Sequence, residues 1–417
     1  MSRTVGLIAA TLTGNHGAEA MAIAVVGRLR ERMPDLRFVL FSYYPQADRK
    51  VIADERVKIG SGTPSSLVAN HLPGALLGAL LPKRRRQTSP LLSAEVRQLS
   101  SCDVLVDLAG VAFIDGREKF LPFNVLTLLP AMLLGVPVIK ASQALGPFKK
   151  FVNRLAARAI LPRCSLIVAR GKGTKAYLDT IKLTDVLVAP DLAFLMQDTD
   201  RLVEAEPSGV NHVAAQPLEW RKFGRKVVGL CPSSVIYAKL GSSYVENLVE
   251  LVIRIEGDGH SVAVIPNATR SGARGLRNND IPVLRKIREG LNDRGWEGRA
   301  IFLDRDTDAV SIRKCIAECD VMIVSRFHAM IGALSLEKPT VVLGWSHKYL
   351  EVMADFGLED CVFDYANLRV EDFYTRVAAV IGSSGSLSDK IASALPNVRK
   401  RASLQIDAIA ALISAAD

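Results

Sequence analysis

Aromatic residues are scarce in this chain, at 6%, and no helix-turn-helix or stacking motif accompanies them, so nucleic acid is not an expected partner. Cysteine is sparse too. The six stand at 102, 164, 231, 315, 319 and 361, with no C-x-x-C pair and no Cys/His ligand spacing, which argues against zinc and for a reducing cytosol. Cys315 and Cys319 share a helix face with Ile312 and Ile316 and read as small core residues. Long uninterrupted apolar runs are missing. The nearest, Leu121 to Lys140, is broken by Asn124, Pro130, Gly135 and Pro137 and reads as a buried helix followed by a buried strand. The opening MSRTVGLIAA has too short an apolar run for a signal peptide and reads as a first strand. The expected location is therefore cytoplasmic. Acidic residues are outnumbered by basic ones, 43 to 53, which favours anionic partners such as phospholipid or phosphorylated metabolites.

What is present is a globular balance, 49% hydrophobic and 23% charged over 417 residues, more than one core usually fills. Short β-branched runs alternate with helical patterns almost from end to end, the mark of α/β parallel sheets covered by helices. Near Ala18 a helix begins whose Ala22, Val25, Val26, Leu29 and Met33 share a face, and Pro34 ends it. The alternation lapses in a polar stretch at 198–225. The expected architecture is two Rossmann-like doubly wound domains facing a central cleft, GT-B-like: residues 1–197, a linker 198–225, and 226–417 closing with a helix from about 395. Ligands of such sheets bind beyond the carboxyl ends of the strands.

Ser325 to Ala329 (SRFHA) follows the apolar strand VMIV and precedes the helical AMIGALSLE. A strand end feeding a helix N-terminus favours an anion, and Arg326 adds a fixed cation beside His328, which can hold or relay a proton near neutral pH. The block from Ser325 to Lys348, SRFHAMIGALSLEKPTVVLGWSHK, resembles the signature of the polysaccharide pyruvyl transferase family. Weaker matches fall in the family's order: Gly14-Asn15-x-Gly17, Gly146-Pro147 after Ser142-Gln143, Arg170, and Pro190-Asp191-x-Ala193-Phe194. The resemblance spans roughly residues 5 to 360. The chain departs from it at Gly17-Ala18, where the family commonly has Gly-Asp, at Leu108-Ala109-Gly110, where a glycine-rich run is common, and at Lys338, where Gly often precedes the proline.

The resemblance implies transfer of pyruvate from phosphoenolpyruvate to two hydroxyls of a sugar in a polysaccharide or lipid-linked glycan, forming a ketal and releasing phosphate. No metal is expected, because Arg and Lys can meet the donor's charge and the sequence shows no metal-ligand cluster, and no cofactor beyond phosphoenolpyruvate as co-substrate. Arg326 and Arg170 are the expected guanidinium clamps for the donor, with Ser325 beside them and Lys348 as a compact charge for phosphate. His328 is the expected acid/base. Asn15 and Gly17 form a strand-to-helix turn suited to sugar hydroxyls or phosphate. Asp191 is expected as a helix cap or an acceptor contact, and Arg270, in a loop with Arg274 and Arg277, as a guide for an anionic acceptor or a solvated cation. His16, Glu19 and His347 read as bystanders.

Two rival readings remain open in the sequence. One is a nucleotide-sugar glycosyltransferase of the same architecture, for which Glu351 and Glu359 stand eight apart, and the other a basic binding protein without catalysis. Separately, the apolar Leu67 to Leu81 abuts Lys83, Arg84, Arg85 and Arg86. This segment reads either as a weak contact with an anionic membrane surface, putting the protein at the inner face of the membrane, or as a packed loop with a solvated basic end.

Overall fold

The computed structural model describes residues 3–203, 225–270, 275, 278–344 and 347–415. Most of the expected linker 198–225, together with Arg274, Arg277, Trp345 and Ser346, lies outside the described residues. The chain forms two compact units. The first comprises Met1–Leu12, Met21–Glu204 and Arg399–Asp417; the second comprises Thr13–Ala20 and Ala205–Val398. The turn around Asn15 thus belongs with the second unit, and the end of the chain with the first.

The first unit is built on parallel strands β1 (Thr4–Ile8), β2 (Arg37–Ser42), β3 (Val57–Ser61), β4 (Val104–Asp107), β5 (Val111–Ala112), β6 (Val138–Leu145), β7 (Leu166–Ala169) and β8 (Leu187–Val188). Their order is β3-β2-β1-β4-β6-β7-β8, with β5 beside β6. Such strands are covered on both faces and read as continuous apolar runs, as RFVLFS and VLVD do. The exception is β6, VIKASQAL, of which all eight residues are buried. Its polar side chains have partners: Lys140 Nζ lies 2.6 Å from Asp107 Oδ2, and the Gln143 amide donates to the Asp107 carbonyl at 2.8 Å. The final helix, Ser384–Ser414, docks here through buried Gln405, which accepts from the Ser142 N–H at 3.1 Å and donates to the Pro190 carbonyl at 2.9 Å.

The second unit holds β9 (Val227–Cys231), β10 (Ser261–Val264), β11 (Ile301–Phe302), β12 (Val321–Val324), β13 (Thr340–Gly344) and β14 (Val362–Asp364), all parallel, in the order β11-β10-β9-β12-β13-β14. The winding reverses between β9 and β12. Beyond their carboxyl ends lies the crevice in which a doubly wound sheet takes its ligand.

Three local features of the helices have simple causes. The first helix runs His16–Arg32 rather than from Ala18, because Asn15 caps it: its carbonyl and its side chain both accept from the Ala18 N–H. The run from Leu121 forms two short helices, Leu121–Leu126 and Leu129–Leu133, because Pro130 has no N–H to continue the first and suits the opening turn of the second. At the end of the helix Phe327–Ser335 the left-handed residue is Glu337, at φ +60, and not Lys338. The Lys338 N–H bonds the Ala333 carbonyl and the Glu337 N–H the Leu334 carbonyl, a Schellman closure that normally uses glycine. Since the Glu337 side chain is exposed, Glu337→Gly should raise stability by up to about 1 kcal/mol, read as a higher urea midpoint; a lower midpoint would refute the strain at this position.

Candidate active site

Strand β12 delivers Ser325 and Arg326 directly to the helix Phe327–Ser335. No side chain caps this helix, and a helix N-terminus of this kind favours an anion through its oriented N–H groups. Ser325 is buried beneath it. The Tyr244 hydroxyl accepts from the Ser233 N–H and donates to Ser325 Oγ, both at 3.0 Å, so the loops after β9 and β12 are joined at the switch point. Burial drives the Tyr244 phenol well above its ordinary range, which keeps it a neutral donor.

Arg326 is not a solitary cation. Its Nε lies 3.1 Å from both oxygens of buried Asp280, its Nη2 also bonds Asp280, and Nη2 donates to Ser234 Oγ at 2.8 Å. Asp280 in turn accepts the N–H groups of Ser234 at 2.9 Å and Asn267 at 3.2 Å. One carboxylate therefore gathers the loops following β9, β10 and β12. Burial works against the guanidinium charge, but Asp280 more than compensates and holds the Arg326 pKa above its ordinary value. The Nε and Nη2 edge thus serves the fold.

His328 lies half-buried in the first turn of the same helix, its ring edge-on to Phe327 at 5.4 Å between centroids. Lys348 sits over the other partner of this arrangement, with Nζ 4.8 Å from the Phe327 ring centroid. Phe327 thus brings together the imidazole and the ammonium. The backbone of Gly17 presses against His328: a Cβ added at Gly17 would lie 2.1 Å from Nδ1. No larger residue fits, which explains the glycine without any appeal to turn conformation.

The two residues read as bystanders in that turn are buried and coupled. His16 Nδ1 is 2.8 Å from Glu19 Oε2, and His16 Nε2 is 2.7 Å from Thr269 Oγ1. Glu19 Oε2 also accepts the Ala309 N–H at 3.0 Å, at the start of the helix Ala309–Ala317, while Oε1 is buried without a hydrogen-bond partner. Burial pushes the Glu19 carboxyl up to about 7, against the opposing effect of His16 and with a further push from Asp308. Helical i, i+3 spacing after the Asn15 cap was the available signal for this pair. Nothing in the spacing links Glu19 to Ala309, or Arg326 to Asp280.

The other expected site residues fall in two groups. Asn15, Gly17, Ser325, Arg326, His328 and Lys348 belong to the second unit, as does half-buried Arg270, adjacent to Thr269. Arg170 and Asp191 belong to the first, at the ends of β7 and β8, where Arg170 Nη1 bonds Asp191 Oδ2 at 2.7 Å and both are buried. Asp191 also caps the turn Leu192–Leu195 by accepting the Ala193 N–H. Glu359 is exposed. Among the described residues, no group of three or more His, Cys, Asp or Glu is placed to hold a metal ion.

Glu19 makes the site sensitive to pH in a defined direction. Unfolded, the carboxyl titrates near 4.5; folded, near 7. Between these values the folded state holds the extra proton, so this group's contribution to stability falls as pH rises, by an amount on the order of 3 kcal/mol. Glu19→Gln should abolish that component of the slope in urea midpoints measured across the window, and parallel slopes for the two proteins would show the carboxyl to be unshifted.

A profile of the polysaccharide pyruvyl transferase family matches residues 15–347. The chain is 20% identical over 400 residues to the amylovoran biosynthesis protein AmsJ of Erwinia amylovora, covering 93% of this chain and 94% of that protein. Among solved structures it resembles MnaA of S. aureus with UDP (TM-score 0.58, 13% identity, 94% of this chain and 91% of that one). It also resembles the UDP-GlcNAc 2-epimerase of Neisseria meningitidis bound to UDP-GlcNAc (TM-score 0.59, 12% identity, 93% and 94%). At such identities the structural likeness speaks to the fold alone, two Rossmann-like doubly wound units of the GT-B-like class. With the family profile covering most of its length, strand-end turn and His-bearing helix included, the chain belongs to the polysaccharide pyruvyl transferase family.

Proposed function

We propose that this chain transfers the pyruvyl group of phosphoenolpyruvate to two hydroxyls of a sugar in a polysaccharide or lipid-linked glycan, forming a cyclic ketal and releasing phosphate. The observation that carries the proposal is the turn Ser325–His328, where an uncapped helix N-terminus, the outer edge of Arg326, His328 and, across Phe327, Lys348 are assembled by one short segment and its packing. Phosphoenolpyruvate carries roughly three negative charges, nearly two on phosphate and one on the carboxylate. Because Asp280 neutralises much of Arg326, Lys348 and the helix end supply much of the attraction, and Arg326 supplies geometry.

The chemistry is then an addition followed by a displacement. A proton goes to the methylene carbon, which becomes the methyl group, and one sugar oxygen bonds to C2 as its hydroxyl proton leaves. A second sugar oxygen then bonds to C2 while the C2–O bond to phosphate breaks, and its proton departs with phosphate. His328 is suited to one of these proton transfers, held at the helix start by Gly17 and Phe327. Glu19 and His16 position it indirectly, by fixing the turn that bears Gly17.

His328→Ala is expected to lower kcat by roughly a hundredfold or more with donor KM little changed, whereas Lys348→Ala should raise the phosphoenolpyruvate KM by about 1.5–3 kcal/mol of lost charged interaction. Phosphate release with a glycan acceptor, together with mass spectrometry of the glycan, checks both. Wild-type kinetics in both variants, or consumption of a nucleotide sugar with no phosphate released from phosphoenolpyruvate, would overturn the proposal. Activity should survive exhaustive chelation, and its loss and recovery on adding a metal would contradict the metal-free scheme.

A further inference from the structure

Large exposed apolar side chains concentrate in one part of the first unit. Val68, Leu76, Leu77 and Leu80, the last 82% exposed, lie along the π-turn Leu67–His71 and the helix Leu72–Ala79. Phe151, Val152 and Leu155, the first 67% exposed, stand on the helix Phe151–Ile160. This second helix is patterned inside out at its start. Its Asn153 points inward, donating to the Phe113 carbonyl and to Asp115, while phenylalanine, valine and leucine face outward beside exposed Arg154 and Arg158. Exposed apolar clusters of this kind in a chain able to bury them mark an interaction surface.

The two segments share a neighbour, since the helix Leu121–Leu126 packs against both the π-turn and the helix Phe151–Ile160. Within the two segments the charge has one sign, while Glu118 and Asp115 lie beside Lys150 at the rim of the second face. Between Arg56 and Ala94 there is no Asp or Glu, and between Lys119 and Leu178 there is again none. Exposed cations border each face: Lys83, Arg84 and Arg85 after the first, and Lys149, Lys150, Arg154 and Arg158 around the second. Arg86, counted with the basic run in the sequence, instead donates to the carbonyls of Leu81 and Leu134 and braces the turn. The nearby carboxylate of Asp115 is engaged by the N–H groups of Lys149 and Lys150. No described helix is long and apolar enough to cross a membrane.

From this placement we infer that the outer faces of residues 68–85 and 149–158 form one two-part docking surface for an anionic lipid bilayer. Apolar side chains enter the headgroup boundary and the flanking cations meet lipid phosphates, the combination by which amphipathic helices lie in the interface plane. Either part alone is a weak anchor. Held on one scaffold, the second engages at high effective concentration once the first has bound. The inference is independent of the reaction proposed above, and its test uses no substrate.

The purified full chain should float with vesicles of phosphatidylcholine plus phosphatidylglycerol, not with phosphatidylcholine alone, and salt should release it. Neutralising Lys83, Arg84 and Arg85 to Gln, or changing Phe151, Val152 and Leu155 to Ser, should each lower partitioning by roughly tenfold or more, with urea midpoints checking that the variants fold. Phe151→Trp provides a readout that preserves the apolar face: its emission should shift to the blue and be quenched by brominated lipid. The inference fails if the wild type does not float with anionic vesicles, or if the substitutions at 151, 152 and 155 leave flotation unchanged. It fails equally if the same substitutions abolish a concentration-dependent self-association of a protein that ignores vesicles, which would make the surface an interface between copies.

Discussion

The pair of buried Asp280 and partly buried Arg326 is the interaction on which the second unit's site depends. Removing one partner of such a pair leaves an uncompensated charge and costs about 3–5 kcal/mol. Here the carboxylate is also tied to the main chain of the loops after β9 and β10, so the pair sets the relative positions of three strand ends as well as the orientation of one side chain. A guanidinium held this firmly presents its outer edge in one geometry, as a planar binder of an oxyanion requires. The same pairing lowers the net positive charge. In the reaction proposed above, attraction for the donor would be shared with Lys348 and the helix terminus, and Phe327 is the common support of that cation and the imidazole.

Buried ion pairs recur at strand ends in the first unit as well. Lys140 meets Asp107 where β4 ends, and Arg170 meets Asp191 after β7 and β8. Each pair has further hydrogen bonds to main chain or amide, the condition under which burying charge is tolerable. Loops of a doubly wound sheet carry no regular ladder of their own, so a charge that bonds several backbone groups at once is an economical way to hold them. The price is a dependence on both partners being present.

The turn 13–20 has a similar logic at closer range. Gly17 allows backbone to lie against the His328 ring, and the His16–Glu19–Thr269 chain keeps that backbone in place. An imidazole positioned by main chain has less freedom than one positioned by another flexible side chain. The raised Glu19 carboxyl follows from the same burial that makes the packing tight.

The strand and helix alternation, two units, the strand-to-helix turn at Ser325–Ala329 and the family all followed from local pattern, because strand periodicity, proline and glycine punctuation and a contiguous motif are properties of neighbouring residues. Even the boundary errors had local causes, in Asn15 capping one helix and Pro130 restarting another. The partners were decided elsewhere. That Arg326 is paired with a residue 46 positions earlier, that Glu19 meets Ala309 from 290 positions away, and that Arg170 and Asp191 satisfy each other, depends on which strand ends the sheet order makes adjacent. So does the burial of His16 and Glu19, which sit in a polar turn by sequence and in a packed interior by contact. Local sequence specifies how a segment bends and which face it hides; what it touches, and hence the charge and protonation of its side chains, is set by the crossovers that bring distant segments together in a low-dielectric interior.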